Sequence, residues 1–325
     1  MLNINKLLQA LSEKRSVYTD YSDRKGYDPN FLEERIALPE IPEELLKKLA
    51  KLKDSDSYEL KYTHFSIFFS AKRNLPYFSA VNLNGKVYMQ LKEDFPDFDD
   101  RAKDKWILDH RLLDENLQMP TKFYDGNDFD LGHLVRRLDP VWGSSVKAAM
   151  VANDDTFHRT NITPQHKKYN RYGVWSNLEN FALEKAKEDM LRMSIFAGPV
   201  FREDDKDFTS NDCTLKIPKE YWKIIVMKKK EDNKMSATGF ILTQENLITN
   251  MFSAMFRMFK GKSDSYLEKV RTYQLPISRI ENRTGLKFNL TEYDPMAAKT
   301  GIQDRLAYVL GTPGRVIEKK EDIKY

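Results

Sequence analysis

Cysteine is almost absent from this chain: Cys213 is the only one in 325 residues. A single thiol cannot close an intramolecular disulfide, and it rules out a metal site built from cysteines alone. A reducing compartment suits such a chain. Long apolar runs are also lacking. Asn3 to Arg15 contains no uninterrupted apolar core of the kind a secretion signal needs; instead Ile4, Leu7, Leu8 and Leu11 fall at the spacing of one helical face. The most apolar later stretch, Gly239 to Phe259, is broken by Gln244, Glu245, Asn246, Asn250 and Arg257, which excludes a membrane span there. Neither sign of charge dominates: 53 Lys and Arg stand against 49 Asp and Glu. That balance permits a polyanion partner without requiring one, since clustering decides. No internal repeat or long low-complexity tract is present. The expectation is a soluble, cytoplasmic protein with no membrane contact.

What is there is enough for a large core, with 41% hydrophobic and 12% aromatic residues. Helices are expected over the N-terminal segment, from Pro42 to Leu49, and from Val174 to Met193, where Trp175, Leu178, Ala182, Ala186, Met190 and Met193 share a face. Strands are expected over Tyr58–Ser70, Ser194–Phe201, Tyr221–Met227 and Ser236–Leu242. Asn84-Gly85, between Tyr77–Leu83 and Lys86–Leu91, is a hairpin signal. The acidic run Glu203, Asp204, Asp205, Asp207 and Asp212 reads as a solvated loop, and the segment from Tyr293 as a polar, mobile tail. Met251, Met255, Met258 and their neighbouring phenylalanines form an apolar helical stripe, read as core or subunit contact. Strands and helices are mixed rather than alternating, so the class is α+β.

The chemistry concentrates in one region. Phe129-Asp130-Leu131-Gly132-His133-Leu134-Val135-Arg136-Arg137 is followed by Thr160-Asn161-Ile162-Thr163-Pro164-Gln165, then Asn170, Trp175, Leu178 and Glu179. This order resembles the DNA/RNA non-specific endonuclease family of the ββα-metal superfamily, whose hallmark is Asp-Arg-Gly-His followed by Thr-Asn-x-x-Pro-Gln, Asn, Trp and Leu-Glu. Further segments are similar to bacterial members in the same order, among them Arg24 to Leu32, Thr63 to Ser66, Ala197 to Phe201, Ile217 to Lys223 and Ile280 to Leu286. The similarity runs over roughly residues 24–290. It divides the chain into a helical extension (1–23), the endonuclease domain (24–292) and the tail (293–325), and it implies a central, mostly antiparallel sheet flanked by helices and carrying a ββα-metal finger.

The residue chemistry agrees. Phosphodiester hydrolysis needs an activated water, and a histidine with an unperturbed pKa of ~6.5 accepts its proton at neutral pH. His133 is the candidate general base, and Gly132 is read as freeing the backbone beside it. The family pattern gives the metal to an asparagine, here Asn170; hard Mg²⁺, or Mn²⁺ in its place, prefers oxygen ligands and keeps most of its waters. By the same resemblance Glu179 holds metal-bound water, Arg111 matches an upstream catalytic arginine, and Asp130, Asn161 and Gln165 support the site or the substrate. The hallmark arginine is replaced by Leu131, and losing one such contact in a dry site costs roughly 2–4 kcal/mol. Arg136 and Arg137 follow closely enough to reach the same phosphate. His158 and His166 match no catalytic position and read as surface or substrate-proximal residues, while His64 reads as packed on a strand.

The implied activity is cleavage of DNA and RNA without sequence preference. The resemblance also allows a homodimer, and an active nuclease inside a cell calls for an inhibitor or activator protein. Two alternatives remain open: a nucleic-acid-binding or regulatory relative with weakened chemistry, motivated by Leu131, and a phosphodiesterase for small nucleotides. Gly261-Lys262-Ser263 is no phosphate-binding loop, because Phe256 stands where that motif needs glycine.

Overall fold

Strands buried along nearly their whole length need cover on both faces, and the fold supplies it. The computed structural model describes residues 20–96, 105–249, 271–297, 315–317 and 322–325. Its strands are β1 (Glu59–Lys61), β2 (Phe65–Ser70), β3 (Leu75–Asn84), β4 (Phe129–His133), β5 (Ile162–His166), β6 (Arg192–Val200), β7 (Asp207–Ser210), β8 (Cys213–Lys216), β9 (Glu220–Lys228), β10 (Met235–Thr243), β11 (Arg271–Leu275) and β12 (Arg315–Ile317). Its helices include α1 (Glu43–Leu46), α2 (Gly85–Asp94), α3 (Val146–Asp155), α4 (Lys167–Asn170), α5 (Val174–Glu188) and α6 (Ile277–Thr284). Eight strands form one antiparallel sheet in the order β1-β2-β3-β6-β9-β10-β11-β12, and β4 pairs with β5 in a separate ribbon. The expected α+β architecture, an antiparallel sheet flanked by helices, is what the chain adopts.

Alternation along β9 shows how both faces are used. Tyr221, Ile225 and Met227 join the core under α5, while Trp222, Ile224 and Val226 join the core on the opposite face with Ile277 and Ile280 of α6. Along α5, Trp175, Leu178, Ala182, Leu183 and Ala186 are buried at the spacing of one helical face. Burial of Leu178 and Leu183 is worth on the order of 2 kcal/mol each.

Several expectations change. Asn84-Gly85 makes no hairpin: Asn84 ends β3 and caps α2, its side chain accepting from the Val87 amide at 3.1 Å. Gly85 is needed for closeness, since a Cβ there would fall 1.9 Å from the Ala186 carbonyl oxygen at the end of α5. The expected strand over 58–70 is two strands, β1 and β2, paired antiparallel and separated at His64 (φ 67°), whose ring stacks on Trp142 at 3.5 Å. The acidic loop carries the β7–β8 hairpin, and Asp205 is buried against Arg73 rather than solvated. The polar tail is docked at its described residues: β12 pairs with β11, Ile323 is buried and Tyr325 stacks on Phe181. The N-terminal helix and the Met251–Phe259 stripe lie outside the described residues. No described helix is long and apolar enough to cross a membrane.

Candidate active site

The ribbon β4–β5 and the helix α5 form a ββα finger. Asp130 faces Gln165 across the ribbon, Leu131 faces Pro164, Gly132 faces Thr163 and His133 faces Ile162. Directly paired residues share a face, so Asp130 and Gln165 lie together on one side while Leu131 and His133 lie on the other. Gly132 is required by packing: a Cβ there would sit 2.4 Å from Gln165 Oε1. The expectation that this glycine frees the backbone for substrate or a turn is therefore replaced by a side-chain contact.

His133 ends β4, and its ring is set by two aromatics. Trp106 lies 4.6 Å away centroid to centroid, and Phe157 meets it edge-on at 5.0 Å. The chain leaving His133 is clamped by Asn161. Its Oδ1 accepts from the Val135 amide at 2.8 Å, and its Nδ2 donates to the Val135 and Thr156 carbonyls, both at 2.9 Å. Asn161 is fully buried, so its amide is spent on backbone and it is a clamp rather than a substrate contact.

Asn170 closes α4. Its Nδ2 donates to Asp130 Oδ2 at 3.0 Å, and Arg171 grips both oxygens of the same carboxylate at 2.9 and 2.6 Å. Asp130 is thus an orienting group; a carboxylate is also the wrong charge to bind phosphate. With Nδ2 engaged, Oδ1 is the Asn170 atom left to take a cation. Beside this pair, Gln165 is fully buried and neither of its amide atoms has a hydrogen-bond partner among the described residues. An orphaned buried amide next to an oriented asparagine oxygen fits a hydrated, oxygen-seeking cation. No cluster of three or more His, Cys, Asp or Glu side chains suited to a metal occurs among the described residues.

Below the finger is a buried ionic group. Lys223 of β9, on the α5 face of the sheet, places Nζ 3.2 Å from Glu179 Oε1 and 4.2 Å above the Trp175 ring. Arg136 donates to the Glu179 carbonyl at 2.6 Å and to Asn180 Oδ1 at 2.7 Å. Asp139 is buried nearby. Burial pushes its carboxyl up to about 7, with Arg136 and Lys223 pulling it down and Glu179 adding to the rise.

The sequence profile of the DNA/RNA non-specific endonuclease family matches residues 42–294. This chain belongs to that family. An uncharacterized protein, y4fB, of Sinorhizobium fredii is 33% identical over 279 residues, covering 82% of this chain and 39% of that protein. Nuclease C1 of Cunninghamella echinulata is 29% identical over 155 residues, 43% of this chain and 58% of that one. The chain therefore spans less than two thirds of the length of either relative. A crystal structure of the EndoG/EndoGI complex, described as the mechanism of EndoG inhibition, aligns with a TM-score of 0.51 at 18% identity, over 72% of this chain and 86% of that chain. That likeness concerns the fold.

Set against the family pattern, the structure brings Asp130, Gln165 and Asn170 together on one face of the finger and groups Arg136 with Glu179. It keeps other candidates apart. Arg111 is spent on the fold: it donates to both Asp109 oxygens and to the Lys61 carbonyl, and its guanidinium lies 3.7 Å over the Tyr21 ring. None of those neighbours is a candidate residue. Arg137 reaches Asn153 Oδ1 at 3.1 Å. His158 and His166 are buried rather than at the surface. The first is bonded to the Tyr21 hydroxyl at 2.7 Å, and Nδ1 of the second accepts from the Lys168 amide. Trp106, Phe157, Arg171, Asp139 and Lys223 were not singled out by sequence reasoning. Only Lys223 carried a signal, as one charge inside the apolar run Tyr221–Met227.

Proposed function

We propose that this chain is a divalent-metal-dependent, sugar-nonspecific endonuclease that hydrolyses phosphodiester bonds of DNA and RNA. The observation that carries the reading is the fixed Asn170 amide. With Nδ2 held by Asp130, its oxygen is left for a cation at the same ribbon that carries His133, three residues beyond Asp130 on β4. His133, oriented between Trp106 and Phe157, takes the proton of the attacking water at a ring nitrogen. Asn170 Oδ1 would hold Mg²⁺ or Mn²⁺, which would supply Lewis-acid stabilisation of charge on the phosphate and the leaving oxygen. Glu179, pinned by Lys223, would order water bound to that ion. Because such a site meets phosphate and sugar rather than base edges, cleavage carries little sequence information.

The test is digestion of plasmid, single-stranded DNA and RNA in Mg²⁺ and in EDTA. Cleavage of all three, abolished by EDTA and without a fixed site, is the expected result; a strict recognition sequence contradicts the reading.

One observation favours a second reading. Leu131 packs with Trp106 against the cluster containing Phe129 and Ile162, so the hallmark position carries no cation. A nucleic-acid-binding relative with weakened chemistry fits that feature. Tight DNA binding without turnover, unaffected by His133→Ala, distinguishes it.

A further inference from the structure

The arginines at positions 136 and 171 of the finger are spent on the protein, Arg136 on α5 and Arg171 on Asp130, as is the family-matched Arg111 on Asp109 elsewhere. Arg159 differs. It opens the short turn Arg159–Asn161 that leads into β5, and its amide donates to the Ile107 carbonyl at 2.8 Å. The backbone at His158 is extended (φ −73°, ψ 140°) and pairs with Ile107 in a parallel bridge. His158 points inward, fully buried on the Tyr21 hydroxyl. Phe157 and Arg159 flank it, and the Arg159 amide holds that turn beside Ile107, the chain neighbour of Trp106. Phe157 meets the His133 ring, and Trp106 touches both.

Arg159 is part-buried, yet its guanidinium makes no hydrogen bond or ion pair among the described residues. Its Nε is shielded from solvent with no acceptor. Burial lowers its pKa, and no carboxylate offsets the effect. A desolvated cation without a partner is costly, and a buried donor left unpaired in a native fold calls for a reason. The hallmark position supplies a second observation. Leu131 lies on the His133 face of β4, where the family pattern places an arginine and this chain places none.

We propose that Arg159 binds a phosphate of the nucleic acid strand beside His133, doing the work that the hallmark assigns to the residue at 131. The guanidinium fork donates parallel N–H bonds to two non-bridging oxygens, as neither a leucine nor a distant lysine does. This proposal rests on the nuclease reading above, and it makes the loss of the motif arginine a relocation of the charge.

The test compares wild type, Arg159→Leu and Arg159→Lys in metal-activated cleavage. Binding of a fluorescent oligonucleotide is followed over a salt series, in the His133→Ala background so that the probe survives. Arg159→Leu is expected to lower kcat/KM by about a hundredfold, with Arg159→Lys in between. The slope of log affinity against log salt should shrink by about one. Adding Leu131→Arg to Arg159→Leu should restore activity at least about tenfold, a recovery that repair of folding does not produce. A kcat/KM within about threefold of wild type with an unchanged slope overturns the proposal. So does a loss of activity with unchanged slope and no recovery by Leu131→Arg, which marks a structural role. If wild type itself fails to cut in Mg²⁺ and Mn²⁺, the nuclease reading falls, and the salt slope still decides whether Arg159 holds phosphate.

Discussion

Lys223 Nζ lies 3.2 Å from Glu179 Oε1, joining a central strand of the sheet to the helix of the finger, and the lysine is 1% exposed. A buried ammonium in the middle of β9 costs desolvation, which the carboxylate and the Trp175 ring offset. The pair ties the orientation of Glu179 to β9, a strand paired on both sides within the main sheet. Lys223→Met removes one partner and leaves a buried carboxylate beside Asp139. It should destabilise the protein by about 3 kcal/mol in urea unfolding and raise the Mg²⁺ concentration for half-maximal cleavage. Wild-type stability together with a wild-type Mg²⁺ requirement contradicts the role given to the pair.

Asp139 gives the stability a pH dependence. Its folded value of about 7 lies above the ordinary 3.8 because burial disfavours the charge. Between those two values the folded state binds a proton that the unfolded state has released. Stability from this group is therefore full below about pH 4 and is lost as pH rises through about 7. The loss is on the order of 2–4 kcal/mol. Asp139→Asn should flatten the decline, so the melting temperatures of the variant at pH 5 and pH 8 should differ less than those of wild type. An unchanged difference contradicts the assignment.

Asp130 holds the amide of Asn170, so Asp130→Ala should leave the fold intact and free that amide to rotate. Mn²⁺ binding, followed by electron paramagnetic resonance, should weaken by about 10–100-fold, the effect of losing an outer-shell partner. Arg171 also loses its bidentate anchor in this variant, so Arg171→Ala is the control that keeps Asp130. Wild-type Mn²⁺ affinity in Asp130→Ala removes the argument that the carboxylate orients the metal ligand.

Gly132→Ala puts a methyl group into the space filled by Gln165. The expected cost is about 1–3 kcal/mol, with a displaced ribbon and reduced cleavage. Gln165→Ala in the same chain should recover much of the stability, as the two changes share one space. Additive losses in a thermal melt are the opposing outcome.

Much of this architecture was legible in the sequence because periodicity and motif order are local. The apolar spacing of α5, the buried runs in β6, β9 and β10, and the series His133, Asn161, Gln165, Asn170, Glu179 need no tertiary information to be seen. What could not be read depends on distant chain. Asn84-Gly85 caps a helix because Gly85 packs on Ala186, about a hundred residues away. The turn at His64 takes a left-handed conformation without a glycine, held by the Trp142 ring and by the Pro140 carbonyl at 3.0 Å. Arg111 matched a family position, and only the structure shows its nitrogens bound to Asp109 and Lys61. The pairing of Lys223 with Glu179 joins residues 44 apart in sequence. Such contacts are set by strand order rather than by spacing.

The central claim is that His133 accepts the water's proton and Asn170 holds the metal. It is tested most directly by plasmid nicking with purified wild type, His133→Ala and Asn170→Ala, each confirmed as folded, in Mg²⁺ and in EDTA. The account predicts cutting by wild type in Mg²⁺ alone, and a loss of at least about a hundredfold in both variants. Robust nicking by either folded variant, or by wild type in EDTA, contradicts it.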